Sequence, residues 1–195
     1  MKRLTKSKAP EFYEKFLKTK KTNNWEEAEN IRHDLRQHIL IEQKNQCAYT
    51  EVYLKDADSC HIDHFRRKDA NYFPSEVFEY NNLLVSTNKK EYGAIYKDSN
   101  IKKEDYDSLI DPVFDYPEEH LYYSKEGIIY AMDDSLKGQK TIDLFNLNCT
   151  ELKERRAECI DNIEKIKEQV PLKDALLIFK EFGGLIEHIY KNEII

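Results

Sequence analysis

Apolar residues recur every three to four positions over the first part of the chain, and this spacing predicts two helices. The first covers residues 9–20. Asn24 followed by Glu27 has the pattern of a capping box, so a second helix is predicted from there to about residue 44. The apolar faces of the two helices consist of Phe12, Phe16 and Leu17, and of Trp25, Ala28, Ile31, Leu35, Ile39 and Ile41, respectively.

The helical spacing is lost in the middle of the chain. Residues 45–98 are rich in Asn, Asp, Ser and Tyr, which is typical of short strands joined by turns. A β-hairpin is predicted further along, where residues 121–123 and 128–130 flank the turn 124–127.

Two more helices are predicted in the last third. One begins at Asn148 or Thr150 and runs to about residue 169, and Pro171 separates it from an amphipathic helix over 173–191. Because helices flank a region of short strands, the sequence predicts an α+β fold.

The composition is that of a globular protein, with 40% hydrophobic and 35% charged residues in 195. No apolar run approaches the roughly 20 residues of a membrane-spanning helix. No apolar stretch follows the basic N-terminal residues, so we expect neither a signal peptide nor a membrane partner, and a cytoplasmic location. No two cysteines form a CxxC pair, so we expect reduced thiols at Cys47, Cys60, Cys149 and Cys159.

The net charge of −6 argues against a nucleic-acid partner, but the charges are unevenly distributed. Residues 1–22 carry eight Lys and Arg against two Glu, and residues 61–103 carry eight against six acids. Residues 104–119 carry seven acids and no Lys or Arg. Most such runs are solvated surface, so the segregation favours a nucleic-acid partner only slightly.

The residues best suited to catalysis are Asp63 and His64, which are adjacent in the irregular region. Hydrolysis of a phosphodiester needs a base for water and a cation for the phosphate charge. The ordinary pKa of His suits a base, and Asp and Asn supply the oxygen ligands that Mg²⁺ prefers. Neighbouring side chains on a strand point to opposite faces, so the pair can serve one metal only where the strand ends or bends. Extended geometry over 62–64 with diverging side chains would count against that metal site.

The wider pattern resembles the HNH endonuclease family. The residues that carry the resemblance are, in order, Cys47 and Tyr49, Asp63 and His64, Asn82, Leu83 and Leu84, Asn88, and Lys97. The resemblance implies a ββα-metal core over residues 46–103, a helical arm over 1–45, and a hairpin and helices over 104–195 that pack on the core. It also implies DNA cleavage with one divalent cation, Mg²⁺ or Mn²⁺.

The resemblance assigns catalytic roles to individual residues. His64 is the general base, and Asp63 is the first metal ligand. Asn82 braces the loop and orients His64, with Asn81 as an alternative. His61, two positions before Asp63, is interpreted as structural.

The second metal ligand and the contacts to nucleic acid are implied in the same way. Asn88 is the second ligand, although the usual gap after the bracing Asn is longer and would fit Glu91. The residues expected to contact phosphates are Arg66, Arg67, Lys68 and Lys97. For the first three, the competing interpretation is a solvated basic turn.

The resemblance is closer to the HNH subunits of Septu-type antiphage systems (PtuB type), also found beside retrons. It covers residues 35–160 and includes the strings 109–112 and 141–148. The partners it implies are DNA, an ATPase subunit of PtuA type and, beside retrons, a reverse transcriptase with its DNA. The alternative is an HNH core that has lost its catalytic activity and works as a binding or assembly subunit.

One departure concerns cysteine. Many relatives hold a structural zinc with two Cys pairs, whereas this chain keeps Cys47 and has Thr50, Thr87 and Tyr92 where the other cysteines are expected. We therefore expect no structural zinc, and we expect aromatic side chains to pack in its place.

Overall fold

The computed structural model describes residues 1–191 and 194. Helix α1 (Glu11–Lys20) agrees with the prediction. The face it buries carries Tyr13 and Phe16, and Phe12 is 36% exposed, so the predicted apolar face is rotated. Tyr13 is fixed there by its hydroxyl, which donates to the carbonyl of Phe78 at 2.8 Å.

Helix α2 (Glu29–Glu42) follows a 3-10 turn over Trp25–Ala28. Asn24 caps this turn as predicted, because its side chain accepts a hydrogen bond from the backbone of the turn at 3.1 Å. Glu27, the predicted partner in the capping box, instead accepts a hydrogen bond from the hydroxyl of Thr22. The prediction of a capping box is therefore wrong. Of the predicted apolar face, Leu35 and Ile39 are buried and Ile41 is 62% exposed.

Two antiparallel strands and a short helix form the middle of the chain. β1 (Cys60–His64) pairs with β2 (Leu83–Thr87), and α3 (Ala94–Asn100) follows. The register sets His64 opposite Leu83, so residues 65–82 leave and return at the same end of the hairpin. Together with the helices, these strands confirm the α+β class.

The outer edge of β2 is closed by a side chain from the C-terminal cap of α2. Gln43 Oε1 accepts from the backbone N–H of Val85 at 2.8 Å, and Gln43 Nε2 donates to the Val85 carbonyl at 3.0 Å. The N–H of Ala48 donates to the same carbonyl at 3.0 Å. Gln43 is buried, so its amide satisfies backbone groups that water cannot reach.

The predicted second hairpin is present as β3 (Leu121–Tyr123) and β4 (Ile129–Ala131). Its turn needs Gly127, which has a φ of 74°, because a Cβ there would lie 2.3 Å from the carbonyl of Lys153. The helix that follows, α4 (Leu136–Leu144), was not predicted.

The C-terminal helices differ in part from the prediction. α5 (Thr150–Glu164) begins at one of the two predicted starts and ends earlier than expected. The single helix predicted after Pro171 is wrong, because two helices are present, α6 (Leu172–Ile178) and α7 (Gly183–Tyr190). The chain turns between them at Phe182, which has a left-handed φ of 58°.

The buried apolar side chains form a core cluster that includes Tyr13, Val85 and Ile160, from the N-terminal, middle and C-terminal parts of the chain. The division into three parts at residues 45 and 103 stays a prediction. Within the described residues, no helix has the length and apolar character needed to cross a membrane.

Candidate active site

His64 is the last residue of β1, and its imidazole is buried. Its Nε2 lies 3.0 Å from the carbonyl oxygen of Val77. A carbonyl can only accept, so Nε2 carries the proton and Nδ1 has the lone pair. Burial lowers the pKa of His64 to about 4, against the opposing effects of the Val77 hydrogen bond and the charge of Asp63. The ring is therefore neutral at pH 7, the state that a general base requires.

Asp63 is 3% exposed, and one of its carboxylate oxygens has two partners. Oδ2 accepts a hydrogen bond from the hydroxyl of Tyr49 and lies 3.2 Å from the ammonium of Lys97. Burial acts to raise the pKa of Asp63, but the Lys97 charge and the Tyr49 hydrogen bond outweigh it, so the pKa lies below its ordinary value. Asp63 is therefore an ionised carboxylate neutralised by a lysine.

The side chains of Asp63 and His64 diverge. Both residues belong to the paired strand, where Asp63 lies opposite Leu84. The carboxylate contacts Tyr49 and Lys97, whereas the imidazole contacts Val77 and packs against Trp25. This is the extended, divergent geometry that counts against one ion shared by the two side chains.

Asn82 braces the chain that leaves β1. Its Oδ1 accepts from the backbone N–H of Arg66 at 2.7 Å, and its Nδ2 donates to the carbonyls of Arg66 at 3.0 Å and Glu76 at 3.1 Å. Asn82 is buried, whereas its neighbour Asn81 is exposed. The structure thus places Asn82, rather than Asn81, where it fixes the loop beside His64.

Asn88 lies away from Asp63. β2 ends at Thr87, which is opposite Cys60, so Asn88 is beyond the other end of the hairpin. Its Oδ1 contacts Nδ1 of His61 at 3.1 Å. The structure does not bring Asn88 to Asp63, and this placement corrects the expectation that the two hold one metal.

Glu91, the alternative second ligand, lies in the segment between β2 and α3. Its side chain is exposed, and its backbone carbonyl accepts from Asn146 at 2.8 Å. In contrast, Asp63 is buried. The side chains that contact Asp63 are instead those of Tyr49 and Lys97.

The basic residues expected to contact phosphates fall into two groups. Lys97 is fully buried, so the expectation that it touches a phosphate is corrected. Arg67 is held by Asp69 at 2.9 Å and by the carbonyl of Asp98 at 2.7 Å. Arg66 lies 3.5 Å from Glu76.

Lys68 differs from the two arginines that precede it. It is partly exposed and forms no salt bridge within residues 1–191 and 194. Its charge also lies close enough to His64 to lower the pKa of the ring, as a smaller influence than burial. Of the four basic residues, Lys68 therefore has the ammonium most available to a phosphate.

Three residues that contact the predicted pair had no role assigned from the sequence. Tyr49 contacts Asp63, and Val77 and Trp25 contact His64. Tyr49 belongs to the motif that carried the resemblance, so its position gave a usable signal. A backbone carbonyl such as that of Val77 has no sequence signature.

The chain is similar in sequence to known proteins. The chain is 32% identical over 175 residues to the Septu protein PtuB of Bacillus mycoides (strain KBAB4), across 75% of this chain and 59% of that protein. It is 25% identical over 205 positions to an Escherichia coli protein named as an HNH endonuclease of retron Ec83, across 82% and 79% of the two chains. This chain is related to PtuB. The relation confirms the resemblance found in the sequence.

Two further comparisons qualify this relation to PtuB. A shorter match, 38% identical over 68 residues, is to the Septu protein PtuA of the same Bacillus strain and covers 35% of this chain and 9% of PtuA. No protein-family model matches the chain. The chain spans 59% of the length of the PtuB relative.

In this chain, the positions where cysteines were expected from the resemblance lie near each other. Cys47 Sγ is 3.4 Å from Ser86 Oγ. A Cβ placed on Gly93 would lie 3.5 Å from the methyl of Thr87 and 3.9 Å from that of Thr50. The side chains at these positions thus bring methyl and hydroxyl groups together. The hydroxyl of Tyr92 donates a hydrogen bond to Glu151 at 2.9 Å.

The side chains around Asp63 do not fit the Mg²⁺ or Mn²⁺ expected from the family. Within the described residues, no group of three or more His, Cys, Asp or Glu is arranged to hold a metal ion. An oxygen ligand of Mg²⁺ lies about 2.1 Å from the ion, and Lys97 Nζ already stands 3.2 Å from Asp63 Oδ2. Asn88, the predicted second ligand, faces His61 instead.

Proposed function

We propose that this PtuB-related chain is a nuclease subunit that hydrolyses DNA phosphodiester bonds, with His64 as the general base. The observation that carries the proposal is the fixed tautomer of His64, whose Nε2–H is held by Val77 and whose Nδ1 is free to take a proton. The HNH name of the retron relative supports the same reaction.

In this proposal, each residue acts through a contact already described. His64 Nδ1 accepts a proton from water while the hydroxide bonds to phosphorus and the bond from phosphorus to the leaving deoxyribose oxygen breaks. That oxygen takes a proton from solvent, and the negative charge of Asp63 stabilises the imidazolium that forms. Asn82 keeps the chain at Arg66 in place. Lys68 contacts a phosphate, a contact that positions nucleic acid. The expected divalent cation takes no part, because the site does not fit one.

The burial of His64 suits an enzyme that is controlled by a partner. The residue is only 6% exposed, so a phosphodiester reaches the ring only when the covering side chains move. We propose that a PtuA-type ATPase drives this opening, in an antiphage complex like the one that the shared Septu name suggests for PtuB and PtuA. By analogy with the retron relative, a reverse transcriptase with its DNA is a further proposed partner.

A second function is favoured by one observation. The ionised Asp63 is neutralised internally by Lys97, and both are buried, as in a structural ion pair. On this basis the HNH core would be a scaffold that has lost its catalytic activity, and the chain would bind or assemble the complex without cleaving DNA.

Plasmid cleavage decides between the two functions. Supercoiled plasmid is incubated with the chain alone and with its PtuA-type partner and ATP, in Mg²⁺, in Mn²⁺ and in EDTA. The nuclease proposal expects nicked or linear product from the wild type and none from His64→Gln. His61→Gln is the matched control, because His61 lies on the same strand and contacts Asn88 instead of Val77.

Three results would contradict the nuclease. They are equal cleavage by wild type and His64→Gln, loss of cleavage in both His variants, and no cleavage by the wild type under any condition. The last result, together with an intact complex in size-exclusion chromatography, would support the scaffold.

A further inference from the structure

Lys97 is an unusual lysine because its side chain is completely buried. It projects from α3 into a cage of aromatic rings, with Nζ between 5.8 and 6.0 Å from the ring centroids of Tyr49, Phe65, Tyr106 and Phe145. Ring faces attract a cation, most strongly where water is excluded. A buried ammonium still needs full hydrogen bonding to be stable.

The hydrogen bonds of this ammonium are complete. Nζ lies 3.2 Å from Asp63 Oδ2, 3.3 Å from the carbonyl of His64 and 2.9 Å from the carbonyl of Phe65. An ammonium has three N–H donors, and each has an acceptor here. Lys97 thereby joins α3 to the end of β1 at the residues beside the proposed base.

A second carboxylate also lies beside the ammonium. Besides Asp63, the carboxylate of Asp98 lies 3.2 Å from Nζ. Burial and the nearby charge of Asp63 raise the pKa of Asp98, with the attraction of Lys97 opposing them. Two carboxylates around one ammonium resemble the electrostatics of a cation site, but here the cation is covalently part of the chain.

Oδ2 of Asp63 already holds both the Tyr49 hydroxyl and this ammonium, so a divalent cation could bind that oxygen only by displacing the ammonium. Nζ and a metal ion on the same oxygen would be about 4 Å apart, where two positive charges repel strongly in a buried site. The displaced ammonium would also lose the carbonyls of His64 and Phe65.

We infer that the ammonium of Lys97 is the resident cation of this site and takes the place of a divalent metal on Asp63. The carboxylate, the ammonium and the two carbonyls form one closed unit that fixes the strand end against α3. This inference holds whether or not the chain cleaves DNA, because it concerns what Asp63 binds.

Metal binding tests the inference without any activity. Mn²⁺ is titrated into the wild type, Asp63→Asn and Lys97→Asn, with free Mn²⁺ measured by electron paramagnetic resonance. Thermal unfolding is followed in Mn²⁺ and in EDTA. The wild type should show the same midpoint in both solutions, and any Mn²⁺ that it binds should remain in Asp63→Asn.

Lys97→Asn should behave in the opposite way. Without the ammonium, Asp63 and Asp98 are uncompensated and the new amide adds an oxygen ligand, so Mn²⁺ should raise the midpoint by about 5 °C. Lys90→Asn is the matched control, since Lys90 is exposed and its loss should change nothing.

One equivalent of Mn²⁺ bound by the wild type and lost in Asp63→Asn would overturn the inference. This comparison does not need Lys97→Asn to fold. It is also independent of plasmid cleavage, so failure of the nuclease proposal and failure of this inference give different results.

Discussion

The indole of Trp25 packs edge-on against the imidazole of His64, with ring centroids 4.6 Å apart and planes at 83°. Trp25 belongs to the turn that precedes α2, so the N-terminal segment covers the residue proposed as the base.

Replacement of Trp25 by Ala should destabilise the protein by about 3 to 5 kcal/mol, because a large buried ring leaves a cavity. It should also hydrate His64, which would raise the pKa of the ring toward its ordinary value. An NMR titration of the imidazole and urea denaturation measure the two effects. Trp25→Phe keeps a ring at this position and should shift both quantities less. An unchanged His64 pKa in Trp25→Ala would contradict the proposed cover.

Stability should depend on pH through His64. The folded pKa is about 4 and the ordinary pKa is 6.5, so below pH 6.5 the unfolded chain takes up a proton that the folded chain does not. Stability should therefore fall as the pH is lowered from 7 to 4, by about 3 kcal/mol from this residue. Urea denaturation of wild type and His64→Gln measures it.

The informative quantity is the difference between those two proteins at each pH, since other groups titrate equally in both. His64→Gln should lose less stability than the wild type between pH 7 and pH 4, because Gln does not titrate. Parallel pH profiles for the two proteins would show that the ring is not held neutral by burial.

The three hydrogen bonds of Asn82 should make it one of the more sensitive positions near the site. Asn82→Ala leaves two backbone groups of Arg66 and one of Glu76 without their partner, with an expected loss of about 3 kcal/mol. The exposed Asn81 is an ideal control, and Asn81→Ala should stay within about 0.5 kcal/mol of wild type. Equal losses in the two variants would show that Asn82 does not brace the loop.

A double-mutant cycle should reveal the coupling of Asp63 and Lys97. Lys97→Met leaves a buried carboxylate without its cation and should cost about 3 to 5 kcal/mol. Combining it with Asp63→Asn should restore part of this loss, since neither charge is then left alone. Chemical denaturation of the wild type, both single variants and the double variant gives the coupling energy. Additive losses would mean that the pair does not interact.

The periodic parts of the chain were the most predictable. Leu35 and Ile39 on α2, and the residues of the hairpin from Leu121, lie in the elements expected from their spacing. Helix α4 was missed because its sequence, Leu136–Leu144, has few apolar residues and is held by tertiary contacts. The last helix was predicted as one because its apolar spacing is helical on both sides of Phe182, despite Gly183 and Gly184, a turn signal directly after it.

The candidate site was predictable where it is contiguous in sequence and less so where it depends on distant contacts. The motif selected Asp63, His64 and Asn82 as candidates, and the structure places all three at or beside the end of β1. The role of Lys97 depends on which way one helix presents its side chain, so the sequence suggested a phosphate contact where the structure has a buried ion pair. Asn88 was misplaced because spacing along the chain does not show at which end of a hairpin a residue lies.

The amide of Gln43 has a consequence for how this protein meets others. An exposed strand edge invites a second chain to add a strand. At Val85 that edge is already bonded by Gln43 and by the backbone of Ala48. A partner therefore cannot extend this sheet at Val85 of β2 without first displacing Gln43.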